Sequence, residues 1–342
     1  MRRVSLLIFM ILTAANILAQ HEFRIISYNV ENLFDYEDDP DTQDEAFTPT
    51  GDYKWTEKKY KRKLNDVSKV LSAAGEWTLP AIIALCEIEN ARVLDDLTTQ
   101  TQLKGAGYKY LHRNSPDRRG VDVALLYQPD KYKVSDVEFL TVKLPDEERP
   151  TREILFASGV VPSGDTLHIF VNHWPSRYGG ELESQHKRIS AAQAVRQKVD
   201  SLFFRNSKAK IAIMGDFNDY PTDKSIADVL KANTNFENIK DNELYNLMAK
   251  FDKKQGVGTH KFGGEWGVLD HVIVSGSMLD QQSGIHTSAE KVHIYKESFL
   301  LKPDKTDFAP KRSFLGAFYA YGFSDHLPVY LDLNLKQNNE KH

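Results

Sequence analysis

The amino-acid sequence predicts a sheet-rich α/β fold with helices outside the sheets, and three observations point there. Eight short apolar runs rich in β-branched and aromatic residues read as strands. Only two long stretches carry helical periodicity, and strands often follow one another directly, which simple βα alternation does not produce. The composition agrees: 342 residues, 41% hydrophobic and 27% charged, describe a globular chain with a sizeable core and exclude disordered, collagen-like and coiled-coil classes.

In chain order, residues 1–19 read as a secretory signal. Arg2 and Arg3 precede an apolar run from Val4 to about Ala15, and small residues follow up to Ala19. Cleavage there leaves a mature chain from Gln20, exported to a periplasmic or extracellular space. The run is too short to span a bilayer comfortably and no cysteine follows it to carry a lipid, so no integral membrane span is expected after processing. Strands are expected at residues 23–30, 80–86, 121–127, 154–160, 166–171, 211–214, 268–274 and 328–333. One helix is expected at about 56–74, with Tyr60, Leu64, Val67 and Leu71 on one face and Gly75 as its stop. The other covers about 181–203, with Ile189, Ala192, Val195, Val199 and Leu202 as its stripe. No flexible linker or internal repeat divides the rest, so residues 20–342 read as one domain although length alone suggests two. Residues 35–45 carry seven carboxylates around Pro40 and read as a solvated loop, because their spacing matches no metal-loop pattern.

A formal charge of −4 excludes binding of nucleic acid by bulk positive charge, so any polyanion must be gripped locally. Cys86 is the only cysteine, which leaves an exported protein without an internal disulfide. It ends an apolar run and reads as a small buried hydrophobe.

The informative feature is what ends each apolar strand. Residues 23–28 run into Asn29 and Glu31, 82–86 into Glu87, 169–172 into His173, 211–214 into Asp216 and Asn218, and Val268-Leu269 into Asp270; Asp325-His326 precedes the last strand. Each alone reads as a turn former or core histidine. Together, strands aimed at one sheet edge gather their terminal polar groups, and open α/β sheets bind ligands at that edge. Oxygen donors from Glu31, Glu87, Asp216 and Asp325, without a Cys₂ or His₃ grouping, suit Mg²⁺, Mn²⁺ or Ca²⁺ better than structural zinc. Amides of Asn29 and Asn218 and protonated His173 and His326 suit phosphoryl oxygens. No Ser or Cys nucleophile stands beside a plausible base in these segments, so water is the favoured nucleophile.

Ser27-Tyr28-Asn29-Val30-Glu31, Cys86-Glu87-Ile88-Glu89, Asn172-His173-Trp174-Pro175, Gly215-Asp216-Phe217-Asn218, Leu269-Asp270 and Ser324-Asp325-His326-Leu327-Pro328-Val329 resemble, in order, the motif set of the endonuclease/exonuclease/phosphatase superfamily, to which pancreatic deoxyribonuclease and the abasic-site endonucleases belong. The resemblance spans about residues 23–334 and implies a four-layer α-β-β-α sandwich, two packed sheets flanked by helices, with Mg²⁺-dependent phosphoester hydrolysis. It makes Glu87 the principal metal ligand, with Glu31 and Asp325 at the metal and Asn29 beside them on the substrate. Asp216 orients and deprotonates the attacking water, Asn218 adjoins it on the phosphate, and His326, oriented by Asp270, stabilises the pentacovalent transition state. His173 is similar to a second phosphate-facing histidine. Arg119 of Arg118-Arg119 resembles a phosphate contact or else forms a surface salt bridge. Arg177 reads as a phosphate clamp or part of a solvated loop, and Asp122 either faces the site or pairs with an arginine.

The substrate is then a nucleic acid or another phosphodiester, with an endonuclease acting on DNA or RNA favoured and no protein partner implied. Alternatives are an esterase for phospholipid, sphingomyelin-type or inositol phosphates, and a binding module without turnover. Residues 265–270 lack the Trp-Cys-Asp-Arg type of pattern of the inositol branch. The aromatic run 314–323 reads as core near a strand, with base stacking or membrane contact as its functional alternatives.

Overall fold

The computed structural model describes residues 23–145, 151–252, 254–305 and 307–336, so the signal segment lies outside the described residues. The elements are β1 (Phe23–Leu33), α1 (Glu57–Gly75), β2 (Ile82–Ile88), α2 (Ala91–Thr99), β3 (Lys109–His112), β4 (Asp122–Tyr127), β5 (Lys133–Leu140), β6 (Ile154–Val160), β7 (Thr166–His173), α3 (Glu181–Arg205), β8 (Lys210–Asp216), β9 (Ala232–Asn233), β10 (Leu244–Asn246), β11 (His260–Phe262), β12 (Glu265–Gly267), β13 (Asp270–Ser275), β14 (Ile285–His286), β15 (Val292–Ile294), β16 (Leu301–Pro303), β17 (Phe308–Pro310), β18 (Phe314–Leu315), β19 (Phe318–Tyr319) and β20 (Val329–Leu335). One sheet has the order β14-β20-β1-β2-β4-β3, with β15 also on β20; the other runs β5-β6-β7-β8-β13-β10-β9. No helix among the described residues is long and apolar enough to cross a membrane.

Alternation along the strands builds four layers. Ile25, Ile82, Ala84, Cys86 and Leu125 of the first sheet meet Leu155, Ile169, Val171, Ala212 and Met214 of the second in one buried cluster between the sheets. The intervening residues Ile26, Tyr28, Ile83, Leu85 and Leu126 face the other way, onto Leu64, Val67 and Leu71 of α1 and Leu94 and Leu97 of α2. On the far side, Phe156, Phe170, Ile211 and Ile213 pack under Ala192, Val195 and Val199 of α3. Burying a leucine or isoleucine in this way contributes about 1.5–3 kcal/mol each, so two-faced burial is what makes these strands read as unbroken apolar runs.

The stop of α1 differs in detail from expectation. Gly75 is still helical, and Glu76 takes the left-handed conformation at φ 59° while its N–H bonds Ala73 O. Glycine at 75 serves close packing, since a Cβ there would lie 2.9 Å from Pro80 Cδ. The acidic loop is also less solvated than expected: Asp35 and Asp44 are buried beside Glu89, which accepts the Asp35 N–H at 2.6 Å. Burial, together with Asp35 and Asp44, pushes Glu89 up to about 9, so it carries a proton there.

The strand order decides where the polar ends meet. β1 runs parallel to β2 and β7 parallel to β8, so their carboxyl ends share one rim. Asp270 opens β13 instead of closing a strand; because β13 is antiparallel to β8, that start lies opposite Asp216. By the same logic residues 324–326 reach the rim just before β20, antiparallel to β1. The glycine of Gly215-Asp216-Phe217-Asn218 is required by the approach of β7: its φ is +135°, and a Cβ would lie 1.9 Å from Asn172 O. Gly215→Ala is expected to cost at least about 2 kcal/mol from the glycine-only conformation and the clash together. An unchanged urea midpoint for this variant would contradict the close approach.

Candidate active site

At the rim the backbone is bent. Glu31, Asn32, Glu87 and Asn218 have positive φ of 54°, 57°, 65° and 51°, a conformation that costs a non-glycine residue roughly 1–2 kcal/mol. The β1–β2 register shifts after Asn29 and the β2–β4 register after Cys86. These irregularities interrupt the pairing where side chains turn into the cleft, and it resumes at Leu33–Ile88 and Ile88–Asp122. Cys86 sits behind, fully buried, its thiol donating to Asn172 O at 3.2 Å.

The centre is a line of three buried groups. Asp270 Oδ2 lies 2.7 Å from His326 Nδ1, and His326 Nε2 lies 3.7 Å from Asp216 Oδ2. Burial alone would lower the His326 pKa, but Asp270, Asp216 and Asp325 override it and raise it well above the ordinary value, which favours the imidazolium form. Burial pushes Asp216 up to about 7 against the pull of His326. Asn29 Nδ2 donates to Asp216 Oδ2 at 3.1 Å, and the Asn218 N–H donates to Asp216 Oδ1 at 2.9 Å. The backbone of Asp270 is fixed as well, its N–H donating to Thr259 Oγ1 at 3.2 Å.

Glu87 stands across the cleft, receiving Asn32 N–H at 2.8 Å and Asn29 Nδ2 at 3.3 Å. Asp325 and Glu31 lie on the same side, joined by Arg312, whose Nη2 is 3.0 Å from Asp325 and whose Nε is 3.4 Å from Glu31. Glu31 also accepts the N–H groups of Ser313 and Phe314. Burial and then Asp325 raise the Glu31 pKa. An oxygen-only donor set of Glu87, Asp325 and Glu31, the last two repelling each other, fits a hard divalent cation, and the bonds to Glu31 leave a lone pair on its Oε2. Asp216, Asp270 and His326 also bring ligand atoms within 4.8 Å of one another. There, however, the cationic His326 already bonds Asp270, which makes a proton relay a better reading than a metal centre.

His173 behaves unlike His326. Its Nε2 points toward Glu87 and Asp216 at 3.7 and 3.8 Å, while Nδ1 is buried without a partner. Burial, with Arg152, Arg119 and His326 around it, drives its pKa well below the ordinary value. These surroundings favour the uncharged imidazole, whereas the sequence offered His173 as a donor to an oxyanion only when protonated.

Of the eleven residues singled out in the sequence, Glu31, Glu87, Arg119, His173, Asp216, Asn218, Asp325 and His326 line one cleft. Asn29 and Asp270 lie directly behind, bonded to Asp216 and His326. Arg177 does not belong. Its guanidinium is consumed by Asn218 O at 2.8 Å, Asp219 at 3.1 Å, Glu181 at 2.8 Å and Asp223, so it is neither a phosphate clamp nor a solvated residue. Asp122 is buried and accepts Ser115 N–H with both oxygens, away from the cleft lining. Arg119 reaches Asn32 Oδ1 at 2.8 Å and approaches Glu87 at 4.0 Å, so it is held at the cleft and not on an outer surface.

Sequence reasoning missed Arg152, His260 and Arg312, all in the lining. Arg152 is buried, with Nε on His173 O at 3.1 Å, Nη2 on Trp174 O at 3.3 Å and Nη1 on Asp117 at 3.1 Å. Its one signal was its place immediately before a strand that itself ends away from the rim. His260 is bridged through its backbone to His326, the rings 4.8 Å apart, and burial, then His326, lowers it to about 4.

A family model described as "Endonuclease/Exonuclease/phosphatase family" matches residues 24–335. A Bacteroides thetaiotaomicron endonuclease/exonuclease/phosphatase family protein is similar in structure, with TM-score 0.57, 16% identity, and 92% of this chain and 98% of that one covered. TDP2 of D. rerio, complexed with a single-strand DNA product, gives 0.56 at 15% identity over 92% and 99%. A mannosyl-6-phosphatase of B. thetaiotaomicron gives 0.54 at 15% over 91% and 99%. No curated protein sequence matches the chain. At these identities the likenesses speak for the α-β-β-α fold, and the match over residues 24–335 places the chain in the endonuclease/exonuclease/phosphatase family.

Proposed function

We propose that the protein is a divalent-metal-dependent phosphodiesterase in which water attacks the phosphorus, with nucleic acid, DNA or RNA, as the favoured substrate. The observation that carries this is the line Asp270–His326–Asp216 set across a cleft from Glu87 and Asp325. Asp216 is held by two donors and accepts the proton of the attacking water once ionised. His326, cationic through Asp270, offers its Nε2 proton to a phosphoryl oxygen as charge builds in the transition state. Neutral His173 contributes a hydrogen bond without a charge. The buried Arg152 and the half-exposed Arg119 and Arg312 supply positive charge at the cleft wall. A divalent cation on Glu87, Asp325 and Glu31, Mg²⁺ foremost with Mn²⁺ and Ca²⁺ as alternatives, supplies neutralisation of the phosphate and of the departing oxygen when bound.

The discriminating experiment takes the purified chain from Gln20 and screens Mg²⁺, Mn²⁺ and Ca²⁺ against plasmid, single-stranded RNA, bis-p-nitrophenyl phosphate, p-nitrophenyl phosphate and sphingomyelin. Diester cleavage is expected, with Asp216→Asn lowering kcat by about 10²–10⁴-fold. Monoester turnover without diester turnover would overturn the reading, and sphingomyelin turnover alone would move the substrate to lipid.

The pH profile tests the proton assignments. Ionisation of Asp216 makes kcat/KM rise with pH through about 7, and loss of the His326 proton makes it fall at higher pH. Asp270→Asn removes a cause that raises His326, so the alkaline limb is expected to move to lower pH by about one unit or more. A limb that stays in place would separate His326 from the reaction.

Export is part of the same proposal, supported by the Arg2-Arg3 start and the apolar run before Ala19. Mass spectrometry of the protein expressed with its leader is expected to find an N-terminus at Gln20 outside the cytoplasm; an intact Met1 on a cytoplasmic product would refute it.

A further inference from the structure

One buried cation lies outside the line of catalytic groups, with the carboxylates of Glu31, Asp325 and Glu87 as its nearest charged neighbours. Lys63, on the inner face of α1, is fully buried, and its Nζ donates to Ser313 Oγ and, at 2.6 Å, to Phe323 O. Ser313 Oγ in turn donates to Phe323 O at 2.9 Å, and Ala320 N–H donates to Ser313 O at 2.7 Å. Both ends of the segment 313–323 are therefore closed on a single ammonium group. Between them β18 and β19 form a hairpin whose Phe314 and Gly316 line the cleft. Its inner face packs on α1-side aromatics, with Trp55 5.5 Å from Phe314 and 4.9 Å from Tyr319, while Leu315, Phe318 and Tyr321 stay exposed.

A fully desolvated ammonium is an expensive way to stabilise a helix face, since an apolar side chain of similar volume commonly does as well. What methionine would lack is the ability to donate to two acceptors ten residues apart in the chain and so close the loop between them. Arg312, which bridges Glu31 and Asp325, immediately precedes Ser313, so the same closure sets where that guanidinium stands. Ordering a loop before substrate arrives removes that entropy cost from binding.

We propose that Lys63 is a positioning residue that holds the hairpin of residues 314–319 as a preformed wall of the cleft, against which the group attached to the scissile phosphate is placed. Its kinetic consequence rests on the phosphodiesterase reading; its structural consequence does not.

The test uses Lys63→Met, Lys63→Gln and Ser313→Ala in the full mature chain. Hydrogen exchange followed by mass spectrometry is expected to speed up about tenfold or more in residues 313–323 of Lys63→Met, with β1 and β8 keeping their protection. With bis-p-nitrophenyl phosphate and Mg²⁺, KM is expected to rise about fivefold or more while kcat changes less than about twofold. Lys63→Gln, which keeps two N–H donors on a shorter, uncharged side chain, should fall between wild type and Lys63→Met. Should Lys63→Met fail to fold, Ser313→Ala carries the test, because it removes one acceptor and leaves the charge in place; the same changes are expected in smaller measure. Unchanged exchange in 313–323 would overturn the clamp. Faster exchange with unaltered KM, or a lowered Tm alone, would reduce Lys63 to a structural residue and overturn its positioning role. Wild type without any diester turnover would remove the phosphodiesterase reading and leave the exchange result to decide the clamp.

Discussion

Asp216 and Asp270 occupy the same register position on β8 and β13, and both are buried. Like charges directly opposite on a sheet repel, and low dielectric strengthens the repulsion. A proton on His326 offsets that repulsion, as does the protonation that burial favours at Asp216, and much of the rim is arranged to hold that imidazole. Ser324 Oγ accepts the His326 N–H at 3.0 Å and donates to Asn29 O on β1 at 2.7 Å. On its other side, Leu327 N–H donates to Thr259 O at 2.7 Å, while Thr259 Oγ1 receives Asp270 N–H. One compensated charge pair thus ties the first sheet, through β1 and the segment before β20, to the start of β13 in the second.

The two histidines at the rim show how far a residue's chemistry depends on its neighbours. His326 faces three carboxylates and stays protonated; His173 is buried beside Arg152 and Arg119 and is neutral. Nothing local in Asn172-His173-Trp174 or Asp325-His326-Leu327 encodes this difference. It arises because burial, reinforced by the Arg152 guanidinium under the carbonyls of His173 and Trp174, acts unopposed on His173, while carboxylates counter it at His326. Residue identity nominated both histidines, and only the packing around them assigns the charge.

The same distinction explains what was legible in the sequence. Strands buried on both faces, such as β2, β7 and β8, announce themselves as apolar runs, because the core between the sheets and the layers under the helices claim alternate side chains. The edge strand β5 was not recognised: its residues are mostly exposed or half-buried, and no apolar face distinguishes Lys133–Leu140. The short helix α2 was missed for want of length, having only Val93, Leu94 and Leu97 as a buried stripe behind the Asn90 cap. Site residues at strand ends were readable because topology brings the ends together. Arginines were not, since their reach lets a residue far from any motif enter the cleft, as Arg152 and Arg312 do, while Arg177 beside a motif is drawn away by Asp219 and Asp223.

That reach also limits what net charge says about a polyanion. The chain totals −4, yet its cleft sets Arg119, Arg152 and Arg312 beside the carboxylates of Glu31, Glu87 and Asp325. Each arginine has an acidic neighbour: Glu87 at 4.0 Å for Arg119, Asp117 at 3.1 Å for Arg152, and Asp325 at 3.0 Å for Arg312. The potential met by an incoming phosphate is therefore a local balance, set by pairs drawn from distant parts of the chain and steeply changed by any cation bound among the carboxylates. A total charge averages over this arrangement. It excludes a protein that binds nucleic acid over its whole surface, and it leaves entirely open one that does so in a single cleft.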